Sequence, residues 1–177
     1  NTVRMYVNGT PVHSYEGYEI HDTDRIVLDF GSAAIVGLDT AQGTMLLEML
    51  PNAAPHSVTN FLNYVSDGDY NSSIIHRSIP SFIVQGGGFA TPSTTLNSVN
   101  DLTSLPTDPA VVNEFSVSNT RGTVAMAKLS GDPDSATSQW FVNLADNTSN
   151  LDDQNGGFTV FAQVLDMSVP DAIAAID

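Results

Sequence analysis

The chain has 177 residues, no cysteine, and five basic residues against twenty acidic ones, for a net charge of −15. Absent thiols exclude disulfides and thiolate metal sites, and scarce cations argue against nucleic acid and anionic membrane surfaces as partners. No apolar run reaches the roughly 18 residues a membrane helix needs. This length suits one domain with a real core. The chain starts at Asn1 with no charged segment and apolar run behind it. We therefore expect any signal peptide to have been removed or never present. Abundant Ser, Thr, Asn and Gly, few lysines and no cysteine suggest a secreted or periplasmic protein, and we expect a monomer.

Residues 3–8 (VRMYVN) and 25–30 (RIVLDF) read as strands around a polar segment, 9–24. Residues 33–39 and 44–50 flank "TAQG", a hairpin signal. Val58, Phe61, Leu62 and Val65 then follow helical spacing, with Pro55 in the first turn and Gly68 at the end. Residues 74–79 and 82–86 read as strands joined by Pro80-Ser81, and 90–112 as a long loop. Strands are expected at 122–128, 138–144 and 158–165. Val169, Ile173 and Ile176 mark a short second helix after Pro170. Many short strands with two helices point to a β-barrel or sandwich with helical caps.

"IIHRSIPSFIVQGGGF" (74–89) places Arg77 between isoleucines. A charge there needs a partner or a task. If 74–79 and 82–86 form an antiparallel hairpin centred on Ser81, opposed residues sum to 162. Arg77 then faces Gln85, whose carbonyl oxygen can orient the guanidinium. His76, Ser78 and Val84 should face the core. Along 138–144, Trp140, Val142 and Leu144 form the expected core face. Gln139, Phe141 and Asn143 share the other, where an aromatic among amides suits a binding surface. No nucleophile with a base and no carboxylate pair accompanies them. The histidines at 13, 21, 56 and 76 lack metal-ligand spacing. "GGGF" lacks the Lys and helix of a phosphate loop, and "DPDSATS" and "LDDQNGG" do not match a calcium loop. Asn8, Asn71 and Asn147 begin glycosylation sequons, which we expect to be unused.

The segment 76–89 closely resembles the cyclophilin signature F-H-R-x-I-P-G-F-x-x-Q-G-G-x-F. "RGTVAMAK", "SATSQWFVNLADN", "FTVFAQVLD" and the helix "APHSVTNFLNYV" resemble further blocks of that family, in order, over about residues 33–177. The loop "ADNTSNLDDQNGG" is similar to the bacterial branch. The resemblance implies an eight-stranded antiparallel barrel capped by two helices and peptidyl-prolyl cis-trans isomerase activity without a cofactor. Its substrates would be proline-containing peptides and unfolded chains. It puts the catalytic arginine on Arg77 and its support on Gln85. The proline pocket falls on Phe82, Ile83, Phe141, Leu151 and Phe158, with Phe82 also counted among the catalytic group. Ala127, Lys128 and Gln139 fall where the family meets the substrate backbone and the residue before proline, and His76 sits beside the arginine. Ser81 stands in place of the family's glycine, Ile83 of methionine, Phe158 of histidine and Asn150 of tryptophan. The last departure implies weakened affinity for cyclosporin-type inhibitors.

The family continues after its second helix into a last strand, whereas this sequence stops inside that helix. Residues 1–32 are read as an N-terminal extension packing strands on the barrel, and 33–177 as the cyclophilin-like domain. Arg25–Phe30 or Val3–Asn8 is expected to take the free strand position, since an unpaired edge would otherwise be exposed. Two rival readings differ in class. A cyclophilin-fold peptide-binding module or chaperone without catalysis has no need of an arginine aimed at an amide nitrogen. A carbohydrate-binding β-domain accounts for the polar loops but not for Arg77.

Overall fold

Hydrophobic alternation builds most of this molecule, and the computed structural model describes it for residues 4–7, 10–12, 26–29, 34–91, 98 and 101–176. The strands are β1 (Arg4–Val7), β2 (Thr10–Val12), β3 (Ile26–Asp29), β4 (Ala34–Thr40), β5 (Gly43–Met49) and β6 (Arg77–Ile79). They continue as β7 (Ile83–Gly86), β8 (Phe89–Ala90), β9 (Thr103–Ser104), β10 (Thr123–Met126), β11 (Trp140–Asn143) and β12 (Val160–Val164). Helices are α1 (Pro55–Asp67), α2 (Thr148–Leu151) and α3 (Ser168–Ala174).

The expected mainly β fold with helices is present. Ten strands form one curled antiparallel sheet in the order β2-β1-β3-β4-β5-β12-β10-β11-β7-β6, while β8 and β9 pair separately. The sheet thus has ends at β2 and β6, where eight strands closing on themselves were expected. A third helix, the single turn α2, joins the expected two. In the N-terminal segment, β3 lies directly beside β4 (Val27↔Val36), and β1 lies beyond β3. β2, within the segment read as polar, pairs with β1.

Local chemistry explains the β4–β5 hairpin and the long helix. Ala41 and Gln42 turn the β4–β5 hairpin, where Thr40 Oγ1 accepts from Gln42 N at 3.1 Å and donates to Gly43 O at 2.8 Å. In α1, Val58, Phe61 and Val65 are buried and Leu62 packs partly against the core. Pro55 opens this helix, and Gly68, at φ 83°, ends it in the left-handed conformation. Its first free N–H groups find a distant partner. The Glu114 carboxylate accepts from His56 N (3.0 Å), Ser57 N (2.8 Å) and Ser57 Oγ (2.8 Å). Such an anionic cap stabilises a helix start by about 1–2 kcal/mol.

The sheet separates two apolar clusters. Val84, Val124, Met126, Val142 and Phe161 face the main core, where Phe61 of α1 meets Phe161 at 4.9 Å between ring centroids. Ile83, Ala125, Phe141 and Val160 alternate with them and form a second cluster. The β10–β12 register shifts between Val124 and Ala125, which pair with Ala162 and Val160. This bulge lets the adjacent Phe161 and Ala162 both join the main core. Trp140, Val142 and Leu144 lie in the main core as expected.

Three expectations are corrected. Only Arg77–Ile79 of the segment 74–79 is strand, and Ser78 is exposed rather than turned to the core. β6 is three residues long and stands at one end of the described sheet. The segment 90–112 is not all loop. Ala90 pairs with Thr103, Leu105 is buried, and Val111 bridges Ala136. Ile176 is 59% exposed, because α3 ends at Ala174 before the apolar stripe completes its second turn.

Candidate active site

The β6–β7 hairpin has the register derived from its sequence: Arg77↔Gln85, Ser78↔Val84 and Ile79↔Ile83. Arg77 Nη1 donates to Gln85 Oε1 at 3.1 Å. Gln85 Nε2 in turn donates to Gln139 Oε1 at 2.9 Å. The second bond fixes which end of the Gln85 amide faces the arginine, since only its oxygen can accept from a guanidinium. Gln139 therefore acts one step behind Gln85. The sequence placed Gln139 at the substrate but held no sign of this relay, because the two residues are 54 positions apart and meet only once β7 lies beside β11. Among the described residues, this is the one side-chain hydrogen bond of Arg77, and the residue is exposed. The guanidinium carbon stands 5.9 Å from the centroid of the Phe82 ring.

Beside the arginine lies the second apolar cluster. Ile83, Phe141 and Leu151 are 2%, 3% and 6% exposed, so they form the floor. Phe82, Ala127 and Phe158 rest on it and remain partly open. Phe158 meets Phe141 edge-on at 5.7 Å. All five residues assigned to a proline pocket, with Ala127, thus lie in one cluster. Ala125, Val160, Leu50 and Val117 complete it. These four come from other strands and loops, and no local pattern marked them. Ala127 N donates to Gln139 O at 2.9 Å, which ties this rim to the amide relay.

Lys128 takes a different direction from its neighbour. Its ammonium donates to Gly157 O (2.6 Å), Asn155 O (2.9 Å) and Asn113 Oδ1 (3.3 Å), and lies 4.9 Å from the Phe158 ring centroid. Burial lowers its pKa, with Asp134 opposing. The charge is engaged inside the protein, under the Phe158 loop. His76 sits behind the hairpin, edge-on to Phe89 at 5.1 Å. Burial first, then the Arg77 charge, lowers its pKa. The imidazole is thus mainly neutral near pH 7. An added Cβ on Gly88 would stand 3.0 Å from both His76 Cε1 and Gln139 Cδ, so this glycine admits both side chains.

Asn143 is corrected. It was expected on the binding face with Gln139 and Phe141, but it is fully buried. Its Nδ2 donates to Thr123 Oγ1 (2.8 Å) and Asn119 Oδ1 (3.1 Å). Alternation gave the right face, yet segments around Asn119 and Asn147 cover this end of β11. The Asn147 sequon is likewise closed: Asn147 is 7% exposed and its amide donates to two acceptors.

Ser81 has φ 60°, in the left-handed region that favours glycine. Its Cβ costs roughly 1 kcal/mol there. Ser81→Gly should therefore raise stability by about 0.5 kcal/mol after the greater entropy of the unfolded glycine chain is deducted. Urea unfolding reads this, and a lower midpoint for Ser81→Gly would refute the strain. His13, His21 and Asn8 lie outside the described residues. Among the described residues, no three His, Cys, Asp or Glu side chains cluster to hold a metal ion. A cavity of about 830 Å³ opens on the other side of the sheet, between the β4–β5 hairpin, residues 70–75 and α3. It includes none of the residues assigned to the site.

The sequence model of the family described as "Cyclophilin type peptidyl-prolyl cis-trans isomerase/CLD" matches residues 35–177. A "Peptidyl-prolyl cis-trans isomerase" of Acinetobacter baylyi is 43% identical over 146 residues, covering 80% of this chain and 72% of that protein. "Peptidyl-prolyl cis-trans isomerase B" of Escherichia coli is 37% identical, covering 80% and 85%. Among solved structures, a cyclophilin type peptidyl-prolyl cis-trans isomerase of Cryptosporidium parvum, crystallised in the presence of the dipeptide Ala-Pro, superposes with a TM-score of 0.63. It is 23% identical, with 81% of this chain and 86% of that chain covered. That likeness shows the shared fold.

Proposed function

The chain belongs to the cyclophilin-type peptidyl-prolyl cis-trans isomerases, and we propose that it accelerates X-Pro rotation by aiming Arg77 at the proline nitrogen, with the proline ring between Phe82 and Phe158 on the apolar floor. The observation that carries this mechanism is the Arg77–Gln85–Gln139 relay, which holds a permanent cation at the edge of an apolar pocket. An X-Pro bond crosses a barrier of about 18–20 kcal/mol, and isomerises in tens to hundreds of seconds unaided. In the planar amide the nitrogen lone pair is delocalised and accepts hydrogen bonds poorly. In the twisted transition state it is localised and accepts them well. A donor aimed at it binds the transition state in preference to either ground state, which lowers the barrier.

Each group has a part in this scheme. Gln85 takes one N–H of Arg77 and leaves others free for the nitrogen. Phe82 and Phe158 flank the proline ring, while Ile83, Phe141 and Leu151 support it from below. The preceding residue then turns near Ala127 and Gln139. Apolar walls exclude water and strengthen the charge-assisted bond. The substrates are proline-containing peptides and unfolded chains, and the chain acts as a monomer. Asn150, exposed on α2, supplies no indole to a cyclosporin-type ligand, so such ligands bind it weakly. A pocket serving only to hold peptides would gain nothing from a guanidinium kept in place by two glutamines.

The test is the cis-to-trans rate of a short Ala-Pro peptide with catalytic amounts of protein. Acceleration that grows linearly with enzyme concentration is expected. Peptide binding without acceleration would instead favour the non-catalytic module.

A further inference from the structure

Phe82, Leu151 and Phe158 reach the pocket from three separate segments: the β6–β7 turn, α2, and the loop before β12. Leu151 and Phe158 lie off the sheet ladder, and Phe82 hangs on its last rung, its carbonyl accepting from Leu144 N at 2.8 Å, yet the mutual placement of the three sets the width of the pocket. Beyond that rung, a row of three buried amides links their backbones. Asn147 Nδ2 donates to Phe82 O at 2.9 Å and to Asn143 Oδ1 at 2.7 Å. Asn143 Nδ2 donates to Asn119 Oδ1 at 3.1 Å. Asn119 Nδ2 then donates to Phe158 O and to Asp152 Oδ1, each at 3.0 Å.

The main chain of Asn147 serves the third segment. Its carbonyl oxygen accepts from Leu151 N at 2.8 Å, and its own N–H donates to Asn119 O at 2.9 Å. The Leu151 carbonyl accepts from Phe158 N at 3.1 Å, so the circuit returns to the pocket wall. Asn119 and Asn143 are wholly buried and Asn147 is 7% exposed. Buried amides are costly unless paired, and aliphatic side chains could fill the same volume without that demand. Amides supply direction instead: each bond fixes a distance between backbone atoms that packing alone leaves adjustable.

We propose that Asn147 is a positioning residue for the proline pocket, its side chain holding the Phe82 carbonyl and its main chain holding Leu151, so that it sets the distance between the two walls. Acting through Phe82 and Leu151, it governs how well the proline ring is held and leaves the Arg77 step alone. The inference rests on the isomerase reading above for its kinetic consequence, but the geometry of the walls can be read without substrate.

Two variants test it: Asn147→Ala, which removes both donors, and Asn147→Ser, which keeps one shorter donor and disturbs packing less. Kinetics on the Ala-Pro peptide are taken well below each variant's melting temperature. Methyl NMR of Leu151 and aromatic signals of Phe82 and Phe158 are recorded without ligand. For Asn147→Ala, KM should rise about tenfold with kcat changed less than twofold. The Leu151 and Phe82 signals should move while those of Val84 and Val142 stay in place. Asn147→Ser should show the same split to a smaller degree, and decides the matter if the alanine variant does not fold. A variant that melts earlier but keeps the wild-type KM and wall signals would make Asn147 a stability residue only and overturn the proposal. A fall in kcat at constant KM would overturn it too. If the wild type itself fails to isomerise the peptide, the isomerase reading falls, and the wall signals still decide whether Asn147 positions the pocket.

Discussion

Arg77→Ala should lower kcat/KM for an Ala-Pro peptide at least about tenfold and leave the protein folded. A charge-assisted hydrogen bond contributes roughly 1.5–3 kcal/mol net, which corresponds to one to two decades in rate. Most of the loss should appear in kcat, because the proline nitrogen accepts the bond well only when the amide is twisted. The fold should tolerate the change. Arg77 lies exposed on the end strand of the described sheet, and its side chain makes one described hydrogen bond, to Gln85. Arg77→Lys keeps the charge but loses the planar fork that Gln85 orients, so it should fall between the two. Equal rates for wild type and Arg77→Ala would sink the mechanism.

Phe141→Ala should be the most destabilising change in the site, at about 3–5 kcal/mol. The ring is 3% exposed, packs with Ile83, Ala125, Leu151 and Val160, and supports Phe158 edge-on at 5.7 Å. That loss is a large part of the 5–15 kcal/mol typical of a domain. In this mechanism it also deepens the floor under the proline ring, so KM should rise among molecules that remain folded. Urea unfolding supplies the measurement. A loss below about 1 kcal/mol would mean that Phe141 lies in a region able to collapse around the gap, and would contradict its place in the floor.

Both residues were legible in the sequence through the strand period of two. The strand period of two, with a turn centred on Ser81, sufficed to pair Arg77 with Gln85. Both residues lie in one short hairpin, where register has little freedom. Phe141 emerged from the same alternation along β11. Alternation could say which face Asn143 occupies, but not that the segments around Asn119 and Asn147 cover it. It likewise missed the Gln85–Gln139 bond and the Glu114 cap on α1, which join residues 54 to 58 positions apart. Helix α1 was clear because its apolar stripe, Pro55 and Gly68 agree. The β8–β9 pair was not, because two-residue strands carry no period. The order of a ten-stranded sheet is likewise set by long-range pairing, such as β5 with β12, that no local pattern encodes.

Trp140 is the chain's one tryptophan, and its place has an optical consequence. The indole lies in the main core, edge-on to Phe61 at 6.5 Å, while the next residue, Phe141, faces the pocket. One residue of a pleated strand therefore separates an emitter that senses the core from a ring that senses the peptide. Intrinsic fluorescence should follow unfolding closely and stay nearly silent when peptide binds. The same protein solution can thus report denaturation by emission while a separate absorbance assay follows proline rotation, with little cross-talk between the two signals.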